Sequence, residues 1–147
     1  MYKLIIVDDE KVIRKGIRDY IDWGSMGFEV ADIFEDGKEA IEYLGSHMVD
    51  VVLTDIEMAE VSGLEMAKYI KDNHLSQRVV IISGYKEFEY ARKAVEYGVE
   101  HYLLKPIRME EVQKVFTKIA EELDISKEEE KKKISARQDF TEVLPEL

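Results

Sequence analysis

Short apolar runs alternate along this chain with segments that place apolar residues at helical spacing. Five runs have the composition of strands, at residues 3–7, 29–34, 49–54, 79–83 and 102–104. Residues 29–34 alternate between apolar and polar positions like an outer strand. The other runs are rich in branched side chains and are typical of strands buried in a parallel sheet. The helical pattern occupies the intervals, at residues 11–21, 36–44, 63–73, 88–95 and 112–123. The alternation therefore predicts five β–α units.

Five such units predict an α/β fold built on a doubly wound, five-stranded parallel sheet. Right-handed crossovers would place the helices on both faces of the sheet. The common order for five strands is the flavodoxin-like 2-1-3-4-5, in which the first and third strands are neighbours. We expect this order here.

Local signals predict where several helices begin and end and which residues they bury. Asp36 is expected to cap the second helix, and Gly45 to end it. Ser62 followed by Glu65 has the capping-box spacing, and Gly98 is expected to end the fourth helix. The first helix is expected to direct five residues to one side: Val12, Ile13, Ile17, Tyr20 and Ile21. The fourth is expected to do the same with Phe88, Ala91, Ala94 and Val95.

Charged residues directly follow three of the predicted strands. Asp8 and Asp9 follow the first strand, and Asp55 follows the third. Lys105 follows the fifth strand, and Ser83 ends the fourth. In open α/β sheets, ligands bind beyond the carboxyl ends of the strands. We therefore expect these side chains to meet in one crevice.

This set of side chains suits phosphoryl transfer assisted by a divalent cation. Carboxylates within a few ångströms repel one another, and Mg²⁺ relieves the repulsion by binding carboxylate oxygen, backbone oxygen and water. Lys105 would add a positive charge, and Ser83 would donate a hydrogen bond to a phosphoryl oxygen. Asp55, on the central strand, is the acid best placed to attack phosphorus.

Composition restricts the classes of function. The chain has 147 residues, of which 46% are hydrophobic and 36% charged, as expected of one globular domain. A net charge of −11 without a basic stripe argues against direct binding of DNA or RNA. Cysteine is absent, and no apolar stretch approaches the ~20 residues that span a bilayer. Because no signal-peptide pattern is present either, we expect a cytoplasmic protein without membrane association.

The composition changes near residue 124. Residues 126–133 are all polar, and the pairs Glu128/Lys132 and Glu129/Lys133 have a favourable i, i+4 spacing. We expect one domain over residues 1–123, followed over residues 124–147 by an extension of the last helix. This extension is interpreted as the start of a connector to an output module that these residues do not include.

Four motifs, in order and at matching separations, resemble those of the receiver domains of two-component response regulators. They are Ile6-Val7-Asp8-Asp9-Glu10, Leu53-Thr54-Asp55-Ile56-Glu57-Met58, Ile81-Ile82-Ser83-Gly84-Tyr85 and Tyr102-Leu103-Leu104-Lys105-Pro106. Any one of them is weak evidence, whereas the four together are highly specific. The resemblance covers residues 1 to about 123. It implies a signalling domain that catalyses at most its own phosphorylation and dephosphorylation.

The resemblance assigns metal-binding roles to the acids of the crevice. Asp55 would be the phosphoacceptor. Asp9, Asp55 and the backbone oxygen of Glu57 would bind Mg²⁺ directly. Asp8 would act mainly through water.

The resemblance also implies how a phosphoryl group would be received and sensed. The donor would be a histidine on a partner sensor kinase. The Ser83 hydroxyl would turn toward the phosphoryl group, and Tyr102 would swing inward behind it. The Lys105–Pro106 peptide bond would be cis and would direct the lysine inward. The signal would leave through the fourth helix, last strand and last helix, by homodimerisation or through the connector.

A finer resemblance is to receiver domains that precede AraC-type helix-turn-helix modules. It rests on Ile21-Asp22-Trp23 and on Ser83-Gly84-Tyr85 followed by Glu87-Phe88-Glu89-Tyr90-Ala91. This likeness implies control of transcription, with DNA bound only by a C-terminal module outside the sequence. Three aromatic residues are candidates for a partner surface: Tyr85, Phe88 and Tyr90.

The loop after Asp55 departs from the family pattern. Such domains usually have proline after the residue corresponding to Met58, and this chain has Ala59, followed by Glu60. Because proline fixes φ, its absence predicts a more mobile loop, and Glu60 adds negative charge. We expect an altered Mg²⁺ affinity or phosphorylation rate without loss of function.

Other interpretations stay open at this level. Taken singly, each residue of the crevice is better explained as a turn, loop or core residue, and only the joint pattern favours a site. Glu57, two residues after Asp55, would serve as the second acid of a Mg²⁺-dependent phosphatase, although the chain leaves no room for a cap domain. A degenerate interaction module that never takes phosphate is a third alternative. Three histidines without metal-ligand spacing are assigned to surface or packing roles: His47, His74 and His101.

Overall fold

Strands and helices alternate along the whole chain. The computed structural model describes the backbone of residues 1–84 and 88–143, and the side chains of residues 1–84 and 92–138. The strands are β1 (Tyr2–Val7), β2 (Phe28–Phe34), β3 (Val51–Asp55), β4 (Arg78–Ser83) and β5 (His101–Leu104). The α-helices are α1 (Lys11–Tyr20), α2 (Gly37–Leu44), α3 (Gly63–Asp72), α4 (Phe88–Glu96) and α5 (Met109–Val143). A single 3₁₀ turn at Gly24–Met26 precedes β2.

The strands form one parallel sheet in the order β2-β1-β3-β4-β5, which confirms the predicted flavodoxin-like order. β3 lies at the centre, and each of its residues is buried. The order reverses between β1 and β3, so the carboxyl ends of these two strands are adjacent. This is the position at which doubly wound sheets bind ligands.

Helices cover both faces of the sheet. On one face, Ile5 and Val7 of β1 pack with apolar residues of α2, α3 and α4. On the other face, Leu4 and Ile6 pack with apolar residues of α1 and α5. The alternation along β1 follows from the two-residue repeat of a strand. Both faces are apolar because both are covered, which explains why the inner strands β3 and β4 read as nearly continuous apolar runs.

Phe116 of α5 anchors one of these faces. It is fully buried, and its ring meets Trp23 and Phe28 edge to face at centroid distances of 4.8 and 5.2 Å. The Trp23 indole also donates a 2.9 Å hydrogen bond to the carbonyl of Ile17. The two aromatic residues around the 3₁₀ turn therefore fix α5 against the first helix and the edge of the sheet.

The predicted helix caps are confirmed. The Asp36 carboxylate accepts a 2.9 Å bond from the Lys38 amide at the start of α2. The Ser62 hydroxyl accepts a 3.1 Å bond from the Glu65 amide at the start of α3. Gly98 follows α4 with a φ of +80°, a conformation that glycine adopts readily.

Three of the predicted inward-facing residues were assigned to the wrong side of their helices. Val12 is 85% exposed and Tyr20 is 90% exposed, whereas Ile17 is buried. Val12 lies about 140° around the helix from Ile17, so it falls outside the face that meets the sheet. Val95 of α4 is also exposed, although its neighbour Ala94 is fully buried.

Part of the fourth-helix prediction lies outside the described residues. The side chains of Phe88 and Ala91 are not among those described, and the same holds for the predicted partner surface of Tyr85, Phe88 and Tyr90. The inward position of Phe88 and Ala91 and the partner surface therefore remain predictions.

Helix α5 continues unbroken well beyond the sheet. Val112, Phe116 and Ile119 are buried in its first part, whereas Ile125 and Ile134 are exposed in its second part. Across the part of the chain that the structure describes, no helix is both long and apolar enough to cross a membrane. The boundary at residue 123 stays a prediction.

Candidate functional site

The turn after β1 places one acid inside the protein and one at its surface. Asp8 is 1% exposed, and Asp9 beside it is exposed. Asp8 Oδ1 accepts a 2.9 Å bond from the Glu10 amide, and the Asp8 carbonyl accepts a 2.7 Å bond from Nη1 of Arg14. The Asp8 amide donates to the Phe34 carbonyl of β2 at 3.0 Å. These bonds hold the turn that carries the two carboxylates.

The end of β3 places Asp55 next to this turn. Asp55 is 8% exposed, and its Oδ1 lies 3.0 Å from Nζ of Lys105. The Thr54 hydroxyl donates a 2.9 Å bond to the Asp55 carbonyl. Gly63 packs so closely that a Cβ atom there would lie 2.3 Å from the same carbonyl oxygen, so only glycine fits at the start of α3. The backbone that carries Asp55 is therefore tightly held.

Asp8, Asp9 and Asp55 converge, since one carboxylate oxygen from each lies within 4.8 Å of the other two. Burial raises the pKa of Asp8 to about 6, and the negative charge of Asp55 adds to this rise, although the Glu10 amide opposes it. Asp8 Oδ2 is buried and has no hydrogen-bond partner among the described residues. Hard divalent cations bind such oxygen-rich, negatively charged groups, so this donor set fits Mg²⁺.

The ends of β4 and β5 complete the crevice. Ser83 is 2% exposed at the last position of β4, and the Lys105 amide donates a 2.8 Å bond to the Ser83 carbonyl. The Ile56 amide donates to the Ile82 carbonyl at 3.1 Å and so holds β4 to the segment after Asp55. The Lys105–Pro106 peptide bond is cis. Ser83 and Lys105 thus lie on the strand ends that follow β3 across the sheet.

The two other residues named from the sequence lie at the margins of the crevice. Tyr102 of β5 is partly buried and packs against the core beneath α2, α3 and α4. Glu57 lies in the loop after β3 with its side chain exposed. The structure therefore brings the side chains of Asp8, Asp9, Asp55 and Lys105 together in the crevice. The roles assigned to all of these residues stay predictions.

Two contacts of the site were not identified from the sequence. Arg14 was not singled out, and its bond to the Asp8 carbonyl reaches from the first turn of α1. Asp36 was predicted only as a helix cap, yet its carboxylate also accepts bonds from the amides of Glu60 and Val61. The first contact joins residues six apart in sequence, but the second joins segments that are distant in sequence and that no local pattern connects.

A second group of ligand-type atoms lies at the opposite, amino edge of the sheet. Glu100, His101 and Glu122 each place one such atom within 4.8 Å of the others. Glu122 Oε2, however, lies 2.9 Å from Nη1 of Arg78 and 3.3 Å from Nε2 of His101. Because a guanidinium already pairs with the central carboxylate, we interpret this group as a structural network of polar contacts. His101 is buried within it, and the surface or packing role assigned to it stays a prediction.

Comparison with known proteins identifies the family. Residues 4–117 match the response regulator receiver domain family. The chain is 37% identical over 123 residues to YesN, a transcriptional regulatory protein of Bacillus subtilis, and the match covers 84% of this chain and 33% of YesN. The chain thus spans about a third of the length of that relative.

Solved structures of response regulators also resemble this chain. The REC domain of AraT, a response regulator from Geobacillus stearothermophilus, is 39% identical, with a TM-score of 0.79 over 86% of this chain and 98% of that one. A two-component transcriptional regulator AraC from Clostridium phytofermentans is 30% identical, with a TM-score of 0.74 over 82% of this chain and 94% of that one.

These matches agree with the sheet order and with the position of the acids. Receiver domains are signalling domains that interact with histidine kinases, and they generally bind Mg²⁺ in an acidic pocket. The chain belongs to the response regulator receiver domain family.

Proposed function

We propose that Asp55 accepts a phosphoryl group from a phosphohistidine of a partner sensor kinase, and that this modification controls an output module. One observation carries the proposal. Asp8 and Asp9 bring their carboxylates to within 4.8 Å of that of Asp55, while the ammonium of Lys105 lies 3.0 Å from Asp55 Oδ1. A nucleophilic carboxylate, an excess of negative charge and a fixed cation therefore occupy one crevice.

The transfer is a displacement at phosphorus. A carboxylate oxygen of Asp55 forms the new P–O bond as the bond between phosphorus and the donor imidazole nitrogen breaks. The electron pair of that bond stays on the imidazole. Lys105 and the hydroxyl of Ser83 bind the equatorial oxygens of the phosphoryl group, because both lie on the strand ends beside Asp55. Positioning and charge stabilisation of this kind account for most of the catalysis of phosphoryl transfer.

The acids beside Asp55 would hold the cation that the reaction needs. Asp8, Asp9, Asp55 and the backbone oxygen of Glu57 would form the Mg²⁺ site, with Asp8 contributing mainly through water. Bound Mg²⁺ supplies neutralisation of the acids and of the phosphoryl oxygens. The buried Asp8 Oδ2 supports this assignment, because it has no donor among the described residues, and a buried acceptor oxygen in that position is otherwise unfavourable.

The modified domain passes the signal through the side of the sheet that ends in β5. Ser83 and Tyr102 change position on phosphorylation, and the surface of α4, β5 and α5 changes with them. Leu104 of β5 is half exposed and Val95 of α4 largely exposed, so this surface carries apolar area that suits a homodimer contact. The phosphoryl group thereby biases an equilibrium between two arrangements of one surface.

The output is control of transcription. The relative YesN is a transcriptional regulatory protein, and the chain spans one third of it. We propose that residues 124–147 continue α5 as a connector from the receiver domain of residues 1–123. A C-terminal module outside this sequence, of the AraC type, would then bind DNA.

Intact-mass spectrometry after incubation with acetyl phosphate and Mg²⁺ tests the proposal. We expect the wild type to gain the mass of one phosphoryl group and Asp55→Ala to gain none. Asp72→Asn, which removes an exposed carboxylate at the end of α3, is the matched control and should be labelled like the wild type. Labelling of Asp55→Ala to the wild-type level would refute the assignment of Asp55.

The fate of the modification separates this function from the phosphatase alternative. A receiver domain holds an acyl phosphate that decays slowly and without turnover of other substrates. Sustained hydrolysis of phosphate esters by the wild type, abolished in Glu57→Gln, would instead favour a phosphatase. Complete absence of labelling in the wild type would favour the degenerate interaction module.

A further inference from the structure

The loop between β3 and α3 is bound to the start of α2 through one carboxylate. Asp36 Oδ2 accepts a 2.8 Å bond from the Glu60 amide, and Asp36 Oδ1 accepts a 3.0 Å bond from the Val61 amide. The same Oδ1 caps α2 through the Lys38 amide at 2.9 Å. One side chain, 8% exposed, therefore joins two backbone segments that both border the acid site.

Gly37 adds a second link at the same place. Its amide donates a 3.2 Å bond to the carbonyl of Val61. A Cβ atom at Gly37 would lie 2.6 Å from that carbonyl oxygen and 2.9 Å from Cγ1 of Val61. The start of α2 and the loop are thus in backbone contact, with no room for a larger residue between them.

A backbone hydrogen bond closes the other end of the loop between β3 and α3. The Gly63 amide donates a 3.0 Å bond to the carbonyl of Ile56, directly after Asp55. The loop is thus fixed at its base by Gly63 and on its far side by Asp36. Glu57, whose backbone oxygen is proposed to bind the cation, lies between these two fixed points.

The carboxylate of Asp36 is ionised in this position. Burial acts to raise the pKa of Asp36, but the amides of Lys38, Glu60 and Val61 and the charge of Lys38 outweigh it, and the pKa is lowered. Hydrogen bonds from amides to a carboxylate are stronger than those to a neutral acceptor. The nearby pair of Lys38 and Glu60 is 3.9 Å apart and exposed, so the carboxylate–amide bonds are the stronger connection.

We propose, building on the function proposed above, that Asp36 is a positioning residue for the phosphoacceptor site. It fixes the loop of residues 57–62, and with it the backbone oxygen of Glu57, in the orientation that binds Mg²⁺. The role is pronounced in this chain because Ala59 leaves φ unrestrained where receiver domains usually have proline. The two bonds from Asp36 restrain the residues that immediately follow Ala59.

Two substitutions of Asp36 separate its two structural roles. Asp36→Ser retains a side-chain acceptor that caps α2, but its short side chain releases both loop amides. Asp36→Asn retains one oxygen for Lys38 and Val61 and presents an amide group to the Glu60 amide, so it removes only one loop bond. Ile119→Val, a deletion of one methyl group in the core beneath α5, is the control for a general loss of stability.

Two measurements are made on each variant. Amide hydrogen exchange in the metal-free protein reports whether the loop is released. The Mg²⁺ concentration that gives half-maximal labelling by acetyl phosphate reports whether the cation site is affected, separately from the maximal rate of labelling.

We expect faster exchange at Glu60 and Val61 in Asp36→Ser, and faster exchange chiefly at Glu60 in Asp36→Asn. The half-saturating Mg²⁺ concentration should rise about tenfold in Asp36→Ser, in the range for residues that orient metal ligands, and less in Asp36→Asn. The maximal labelling rate should change less than this concentration. Ile119→Val should leave both the loop exchange and the Mg²⁺ dependence at wild-type values.

Unchanged exchange at both amides would overturn the inference, and so would faster exchange with an unchanged Mg²⁺ dependence. If Asp36→Ser does not fold, Asp36→Asn decides between these results. A failure of the proposed function is recognised separately, because the wild type itself would then not be labelled.

Discussion

The two edges of the sheet both carry clusters of charge, but their acids are arranged differently. At the amino edge, Glu122 of α5 pairs with Arg78 and His101, which begin β4 and β5. At the carboxyl edge, Asp8, Asp9 and Asp55 share a crevice in which Lys105 is the cation in contact with Asp55. In the first cluster a guanidinium pairs with the central carboxylate, and in the second three converging carboxylates share the ammonium of Lys105.

This difference separates a structural cluster from a functional one. The amino edge also bonds Tyr2 to Asp124, and Lys127 lies 5.3 Å from the centre of the Tyr2 ring. These contacts attach α5 to the sheet just before the helix leaves it. The carboxyl edge instead holds a buried acid whose pKa is raised to about 6, an arrangement that costs stability until a cation arrives. Carboxylates that converge at strand ends, one of them with a buried oxygen that has no donor among the described residues, indicate the site better than the presence of charge alone.

Removing the positive charge of Lys105 should have the largest effect on phosphorylation. Lys105→Met is expected to lower the rate of labelling by acetyl phosphate about 100-fold, because one charged group that stabilises the transition state is lost. Mg²⁺ should bind at least as tightly as before, since the ammonium that competes for Asp55 is gone. Lys68→Met, at an exposed position of α3, is the control. Weaker Mg²⁺ binding together with a normal labelling rate would contradict this account.

Neutralising the buried acid should stabilise the metal-free fold. The pKa of Asp8 is raised from 3.8 to about 6, so the folded state binds more protons and stability falls as pH rises between these values. Asp8→Asn removes this loss. Its free energy of unfolding should exceed that of the wild type by roughly 2–3 kcal/mol above pH 6, and the difference should disappear near pH 4.

Urea unfolding of the two metal-free proteins across this pH range measures the difference. Adding Mg²⁺ at neutral pH should stabilise the wild type more than Asp8→Asn. A stability difference that does not vary with pH would mean that the charge of Asp8 is not its cause.

Breaking the cluster around Glu122 should lower stability without affecting phosphorylation. Glu122→Ala leaves Arg78 and His101 without their shared carboxylate, and the free energy of unfolding should fall by about 1–2 kcal/mol. The rate of labelling by acetyl phosphate should not change, because the two edges lie at opposite ends of the strands. A labelling defect as large as that of Lys105→Met would contradict the division between the edges.

The smallest effect is expected in the loop after Asp55. Ala59→Pro should change Mg²⁺ affinity by about two- to fivefold, since proline reduces the freedom of the loop before binding. The change stays small because Glu60 and Val61 are already bonded to Asp36. Calorimetric titration of both proteins with Mg²⁺ measures it, and identical affinities would show that the residue at this position does not matter.

The sequence predicts the sheet and the site well because both depend on strand ends. Apolar runs that stop at Asp8, Asp55 and Lys105 mark buried strands and their carboxyl ends at once, and the sheet order then brings these residues together. The buried sides of the single helices α1 and α4 were predicted less well. Periodicity identifies an apolar side but not its limits, which is why Val12 and Val95 were placed inward although they are exposed.

Contacts between segments distant in sequence could not be predicted at all. Asp36 has the local signature of a helix cap, and nothing near it in sequence indicates that it also bonds Glu60 and Val61. Likewise, Arg78 and Glu122 belong to different elements and meet only because α5 packs across the sheet. Such pairings depend on how the helices and strands pack against one another, and they leave no local pattern in a single sequence.

Thermal unfolding with beryllium fluoride, a mimic of the phosphoryl group, tests the central claim most directly. We predict that Mg²⁺ raises the Tm of the wild type and that Mg²⁺ with beryllium fluoride raises it further, because each ligand binds the folded state. Asp55→Ala should lack the second increase. An unchanged Tm of the wild type in the presence of both, or an equal second increase in Asp55→Ala, would contradict the assignment of the acid cluster as a phosphoacceptor site.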